Sequence, residues 1–133
     1  MFPPYLLFSL FFFTGAAQQP AAAPVALVIP PEAVQMTNPV KPTSEGKAHA
    51  AKMYGYDCLM CHGANGNGKG DLAVQLKMNL KDWSDPAALQ TKTDGELFYI
   101  IKNGDGQMPA EGDRAKNDDL WNMVVLVRSF SKK

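Results

Sequence analysis

The chain has 133 residues, room for one domain, and its 13 basic and 13 acidic side chains cancel. That balance excludes the strongly basic surface with which a protein grips nucleic acid or an anionic membrane. Every charged side chain lies between Glu32 and Lys133, so the N-terminal stretch differs in character from the rest.

Tyr5 to Phe13 is apolar apart from Ser9, and small residues follow at Gly15, Ala16 and Ala17. An apolar run of this length before a small-x-small site predicts a signal peptide over residues 1–17, cleaved between 17 and 23. The n-region departs from the usual pattern, because it holds no Lys or Arg. A membrane span needs about 20 apolar residues, more than this run supplies. The expectation is therefore export to the bacterial periplasm with no transmembrane span in the mature protein. If the signal is not removed, it becomes an N-terminal membrane tether. Residues 18–43 follow as a Pro/Ala-rich linker, with prolines at 20, 24, 30, 31, 39 and 42 that remove backbone donors and favour extended chain. They read as a tether or a disordered arm.

Residues 44–133 form the folded unit. Ser44 is the expected N-cap of a first helix, with Glu45 in its first turn and Ala50, Met53 and Tyr54 at helical spacing up to about residue 56. A second helix opens at Thr93 or Asp94 with Glu96 behind it. It carries Leu97, Phe98, Ile100 and Ile101 and stops at Asn103-Gly104. A third opens at Asn117, with Asp118 and Asp119 against its positive end. It runs to Phe130 with Leu120, Val124 and Val127 in one stripe. No stretch alternates convincingly as a strand, so the domain is all-α with long loops.

Between the first two helices stands Cys58-Leu59-Met60-Cys61-His62, which holds both cysteines of the chain and one of its two histidines. C-x-x-C-H is the attachment signature of a c-type haem, in which both thiols add to vinyl groups and the histidine ligates iron. If the segment is helical, positions 58, 61 and 62 share a face, so two thioethers lie along one haem edge while the imidazole reaches the iron. The competing readings are weaker. A thioredoxin-type pair should sit by a βαβ pattern, and structural zinc needs four ligands, for which only His49 is spare. A plain disulfide or a chance match is the remaining alternative. After His62 come four glycines and two asparagines within residues 63–70. They suit a loop folded beneath the haem whose carbonyls accept the second imidazole N–H. A phosphate-binding loop would need G-K-[ST] after a strand.

The sixth iron ligand separates electron transfer from ligand chemistry. Met53 and Met123 fall in helices, Met60 lies inside the attachment motif and Met36 lies in the linker. Met78 and Met108 remain. Met108, in the polar loop Asn103-Gly104-Asp105-Gly106-Gln107-Met108-Pro109-Ala110, is the candidate, with Met78, His49 or an open site as alternatives. Trp83 is either a loop anchor or a donor to a haem propionate. Tyr99 reads as half-buried packing, and Asn103 as a helix terminator.

Taken in order, these segments resemble the small soluble class I cytochromes c across residues 44–130. The resemblance rests on Cys58 to Gly63 with its Gly/Asn loop, Asp94-Gly95-Glu96-Leu97-Phe98, Ile101-Lys102-Asn103-Gly104, Met108-Pro109, and Asp119-Leu120-Trp121 with Val127-Arg128-Ser129. It implies three main helices and long loops wrapped around one covalent haem c, with His62 and Met108 as axial iron ligands. Ala50 and Tyr54 take the places of the family's usual helix-crossing residues, and the loop lacks a proline to pair with His62. The implied function is that of an electron carrier, not an enzyme. Its partners would be redox proteins, a dehydrogenase or a terminal oxidase, and the carrier itself a monomer. Leu59, Met60, Ala64 and the 108–110 segment are candidates for its docking rim. A haem subunit dedicated to one complex, or a haem enzyme or sensor with open iron, is the alternative.

Overall fold

A computed structural model describes residues 26–132, so the expected signal peptide lies outside the described residues. Within them are six α-helices, two short 3-10 segments (Pro86–Leu89 and Phe130–Lys132) and no strand. Helices α1 (Pro31–Val34), α2 (Ser44–Asp57), α3 (Leu59–His62), α4 (Asp71–Gln75), α5 (Asp94–Asn103) and α6 (Asn117–Ser129) follow in chain order. None is long and apolar enough to cross a membrane.

The three long helices stand where sequence signals put them, and their caps explain why. Thr43, in extended conformation, caps α2 by accepting from the Gly46 N–H at 3.0 Å, so Ser44 falls inside the first turn. Thr93 and Glu96 form a reciprocal capping box on α5, with the Thr93 N–H donating to Glu96 at 2.8 Å. Gly104, at φ 75°, ends α5. At the start of α6 the Asp119 carboxylate accepts from the Lys116 N–H at 3.3 Å.

The core lies where α2 and α5 pack on α6. Ala50 and Tyr54 face inward from α2 and Leu97, Phe98 and Ile101 from α5; Leu120, Trp121, Val124 and Val127 meet them from α6. Phe98 and Trp121 stack at 4.1 Å between centroids. Ala50, Leu120 and Val124 are fully buried, so the α2–α6 crossing is built around a small residue. Arg128 ties α6 to the chain before and at α5. It donates to Asp94 Oδ1 at 2.9 Å and to the Leu89 carbonyl at 2.8 Å.

The described part of the expected linker is not a free tether. Its apolar and polar groups find partners that local sequence does not reveal. Ala33 of α1 is buried against α5, Val40 packs on the core, and Asn38 Nδ2 donates to the Trp121 carbonyl at 3.2 Å. The approach is so close that a Cβ on Gly95 would stand 1.9 Å from the Ala33 carbonyl oxygen. Helix α4, also unanticipated, abuts α3.

Candidate functional site

The attachment motif sits on the turn where α2 gives way to α3. Cys58 accepts the change of direction, donating its N–H to the Tyr54 carbonyl at 3.0 Å. Its own carbonyl then accepts from Cys61 at 3.1 Å and from His62 at 2.9 Å. Cys58, Cys61 and His62 therefore share a helical turn, as their spacing predicts. Both cysteines are free and half-buried. Burial first, then the carboxylates of Glu111 and Asp57, pushes the Cys58 thiol up to about 12.

The Gly/Asn loop closes over the end of α3. The Gly68 N–H donates to the His62 carbonyl at 2.9 Å and the Gly70 N–H to the Cys61 carbonyl at 3.0 Å, so orphan helix-end acceptors are satisfied. Gly70 is required by approach rather than by conformation, since a Cβ there would meet the Met60 carbonyl oxygen at 2.3 Å. Tyr54 reaches across from α2 and donates its hydroxyl to the Gly63 carbonyl at 2.6 Å, deep in the interior. Burial raises the Tyr54 pKa, so the hydroxyl keeps its proton for that bond.

His62 is stacked on Trp83 at 4.1 Å and 19°, and Trp83 leans in turn on Phe130 at 6.4 Å. The Trp83 backbone N–H donates to the Gly66 carbonyl at 2.7 Å. Trp83 is thus an anchor that holds loop and imidazole together. The imidazole Nδ1 is buried without a hydrogen-bond partner. The expected acceptance of that N–H by a loop carbonyl is not present; the Gly63 carbonyl accepts instead from Tyr54 and Gly66, and the Gly66 carbonyl from the Trp83 backbone. Burial also lowers the His62 pKa, which keeps the ring neutral, as a metal ligand must be.

Met108 follows a tight turn closed by two bonds to Asp105, at 2.9 and 3.1 Å. Its side chain is half-buried against the same core cluster as Cys58, Trp83 and Met53. The other methionines have different surroundings. Met123 is buried in the core, Met60 and Met36 are exposed, and Met78 is half-buried just past α4. His49 is exposed, 3.4 Å from Asp119 on the far ends of α2 and α6. Asn103 donates to the Tyr99 carbonyl at 2.8 Å, the part of a helix terminator.

These residues fit a covalent haem. Two free thiols on one helical turn supply the thioethers, and a neutral imidazole adjoins them. The apolar side chains of Trp83, Phe130 and Met108 lie at hand. The zinc reading finds no support, since no group of three or more His, Cys, Asp or Glu among the described residues is placed to hold a metal. Sequence reasoning missed Glu111, a buried carboxylate three residues past Met108. Nothing local sets it apart from Asp105 and Asp113 in the same loop.

Fold and site together define a small c-type cytochrome domain, one that works by haem-based electron transfer. More particularly, the chain belongs to the cytochrome family described as "Cytochrome C oxidase, cbb3-type, subunit III", which matches residues 43–127. No curated protein matches. Among solved structures, the chain is similar to one described as "KustC0563 c-type cytochrome", with 24% identity and a TM-score of 0.54 over 61% of this chain and 95% of that one. It is also similar to a chain of the Kuenenia stuttgartiensis reducing HAO-like protein complex Kustc0457/Kustc0458, with 22% identity and a TM-score of 0.59 over 69% of this chain. It spans 46% of that second chain's length. At such identities the likeness is one of fold.

Proposed function

We propose that this chain is a periplasmic electron carrier, not an enzyme. It holds one haem c through Cys58 and Cys61, with His62 and Met108 as the axial ligands of iron. The observation that carries the reading is the single helical turn that presents two free thiols beside a half-buried imidazole whose Nδ1 is shielded from solvent. When bound, the haem supplies one-electron chemistry between ferrous and ferric iron, and a soft thioether ligand with an apolar surround favours the reduced form. The protein's part is to orient and to exclude water. Trp83 covers one face of His62, the Tyr54–Gly63 bond fixes the backbone beside it, and the Asp105–Met108 turn presents the thioether.

Leu59 and Met60 are exposed beside the attachment cysteines and offer an apolar rim for brief docking. With formal charges balanced, such docking depends only mildly on salt. Residues 1–17 supply the export signal in this reading. The pyridine haemochrome of the purified protein tests it, with an expected yield of one c-type haem per chain. A yield of zero, or of a noncovalent haem, contradicts it.

A second reading keeps the haem but makes the chain a subunit dedicated to one complex. The family description, which names an oxidase subunit, and the neighbour drawn from a protein complex both favour it. Size-exclusion chromatography of the native extract separates the two, since a carrier elutes as a monomer and a dedicated subunit with its complex.

A further inference from the structure

Glu111 is the one charged residue buried among the described residues, at 5% exposure. A carboxylate loses several kcal/mol of hydration on burial unless it is paired and hydrogen-bonded. Here one oxygen pairs with the Arg114 guanidinium, and the other, Oε2, is buried with no partner. Arg114 also donates from its second terminal nitrogen to Asp57 Oδ1 at 3.2 Å. Asp57 is the last residue of α2 and directly precedes Cys58. The backbone fixes the other end of the cluster. The Glu111 N–H donates to the Ile101 carbonyl, and the Glu111 carbonyl accepts from Arg114 and Ala115, all at 3.0 Å.

The cluster therefore bridges the segment that carries Met108 and the last residue of α2, one position before the attachment motif. Packing alone would be served better by an apolar side chain of similar volume. A buried, half-compensated negative charge acts on whatever charge changes nearby, and its influence already reaches the Cys58 sulfur. With Glu111 and Asp57 negative and Arg114 positive, the cluster carries one net negative charge, which favours the more positive oxidation state of a neighbouring iron.

We propose that the Glu111–Arg114–Asp57 cluster sets the reduction potential of the haem iron electrostatically, with Arg114 holding the buried Glu111 carboxylate as the potential-lowering charge. This rests on the reading that a haem is bound at Cys58, Cys61 and His62, with Met108 as sixth ligand.

The test is a potentiometric titration of the haem-loaded full chain at pH 8, for wild type, Glu111→Gln, Arg114→Gln and the double variant. Glu111→Gln removes one negative charge and raises the potential. Arg114→Gln removes the compensating charge and lowers it. In the double variant the net charge is that of the wild type, and the potential returns toward it. Each single change alters the ferrous-to-ferric ratio at fixed ambient potential at least twofold, while the far-red thioether–iron absorption of the ferric form is retained. Shifts of the same sign in both single variants, or no shift, overturn the proposal, because loosening of the Met108 segment would lower both. Arg114→Gln leaves the buried Glu111 carboxylate without its partner, so Asp57→Asn, which keeps the Glu111–Arg114 pair and removes one negative charge, serves where a single variant does not fold. It raises the potential, and an unchanged potential in Asp57→Asn is then sufficient to refute. Absence of the far-red band in the wild type is a separate result, and refutes the ligand reading on which the proposal rests.

Discussion

Replacing Tyr54 by Phe removes one oxygen atom and leaves the rest of the α2–α3 turn in place. The ring still packs against Phe130, 5.2 Å away between centroids. What is lost is the 2.6 Å bond from the hydroxyl to the Gly63 carbonyl. A net hydrogen bond contributes about 1 kcal/mol, and the Gly63 carbonyl keeps the Gly66 N–H, at 3.3 Å, as its remaining donor. The expected destabilisation is therefore about 1 kcal/mol. With a urea slope of about 2 kcal/mol/M for a domain of this size, the unfolding midpoint falls by about 0.5 M.

The pH dependence gives an independent check. Burial, and secondarily Cys58, raises the Tyr54 pKa above its ordinary value of about 10. The folded chain therefore holds this proton at pH values where the unfolded chain has released it. The stability this contributes is full below about pH 10 and is lost as pH rises further. Tyr54→Phe lacks that slope, so the gap between variant and wild type narrows above about pH 10. Urea titrations followed by circular dichroism at pH 7, 9 and 10.5 measure both effects. A midpoint shift below about 0.2 M at pH 7, or a gap that widens in alkali, refutes the role assigned to the bond.

Two other substitutions probe how the fold holds the site. Gly95→Ala places a methyl group 1.9 Å from the Ala33 carbonyl oxygen, so α1 must leave α5, at a cost of about 1–3 kcal/mol; limited proteolysis should then cut residues 26–40 at least tenfold faster. Thr93→Ala breaks the α5 capping box and lowers stability by about 1 kcal/mol in thermal melts, with the visible spectrum unchanged.

Helices α2, α5 and α6 were legible because their signals are local. Thr93 with Glu96, and Asp118 with Asp119, mark starts; Asn103-Gly104 marks an end; an apolar stripe fixes each buried face. The attachment motif was legible for the same reason, since its chemistry is complete within five residues. The N-cap of α2 shifted by one position because Thr43 and Ser44 are equally able to cap, and backbone conformation decides between them. Residues 31–40 misled for a different reason. Their prolines describe the chain's stiffness, whereas their placement depends on Gly95 and Trp121, far along the sequence. The Trp83–His62 stack and the burial of Glu111 depend likewise on contacts between distant segments. No periodicity records such contacts.

The central claim is an iron closed on one side by His62 and on the other by Met108. The ferric absorption spectrum, compared between wild type and Met108→Ala, tests it most directly, with carbon monoxide added to the reduced forms. The account predicts a weak far-red thioether–iron band in the wild type and resistance to carbon monoxide, with the band lost and carbon monoxide bound in Met108→Ala. A band that survives the substitution, or a wild-type protein that takes up carbon monoxide at neutral pH, would contradict it.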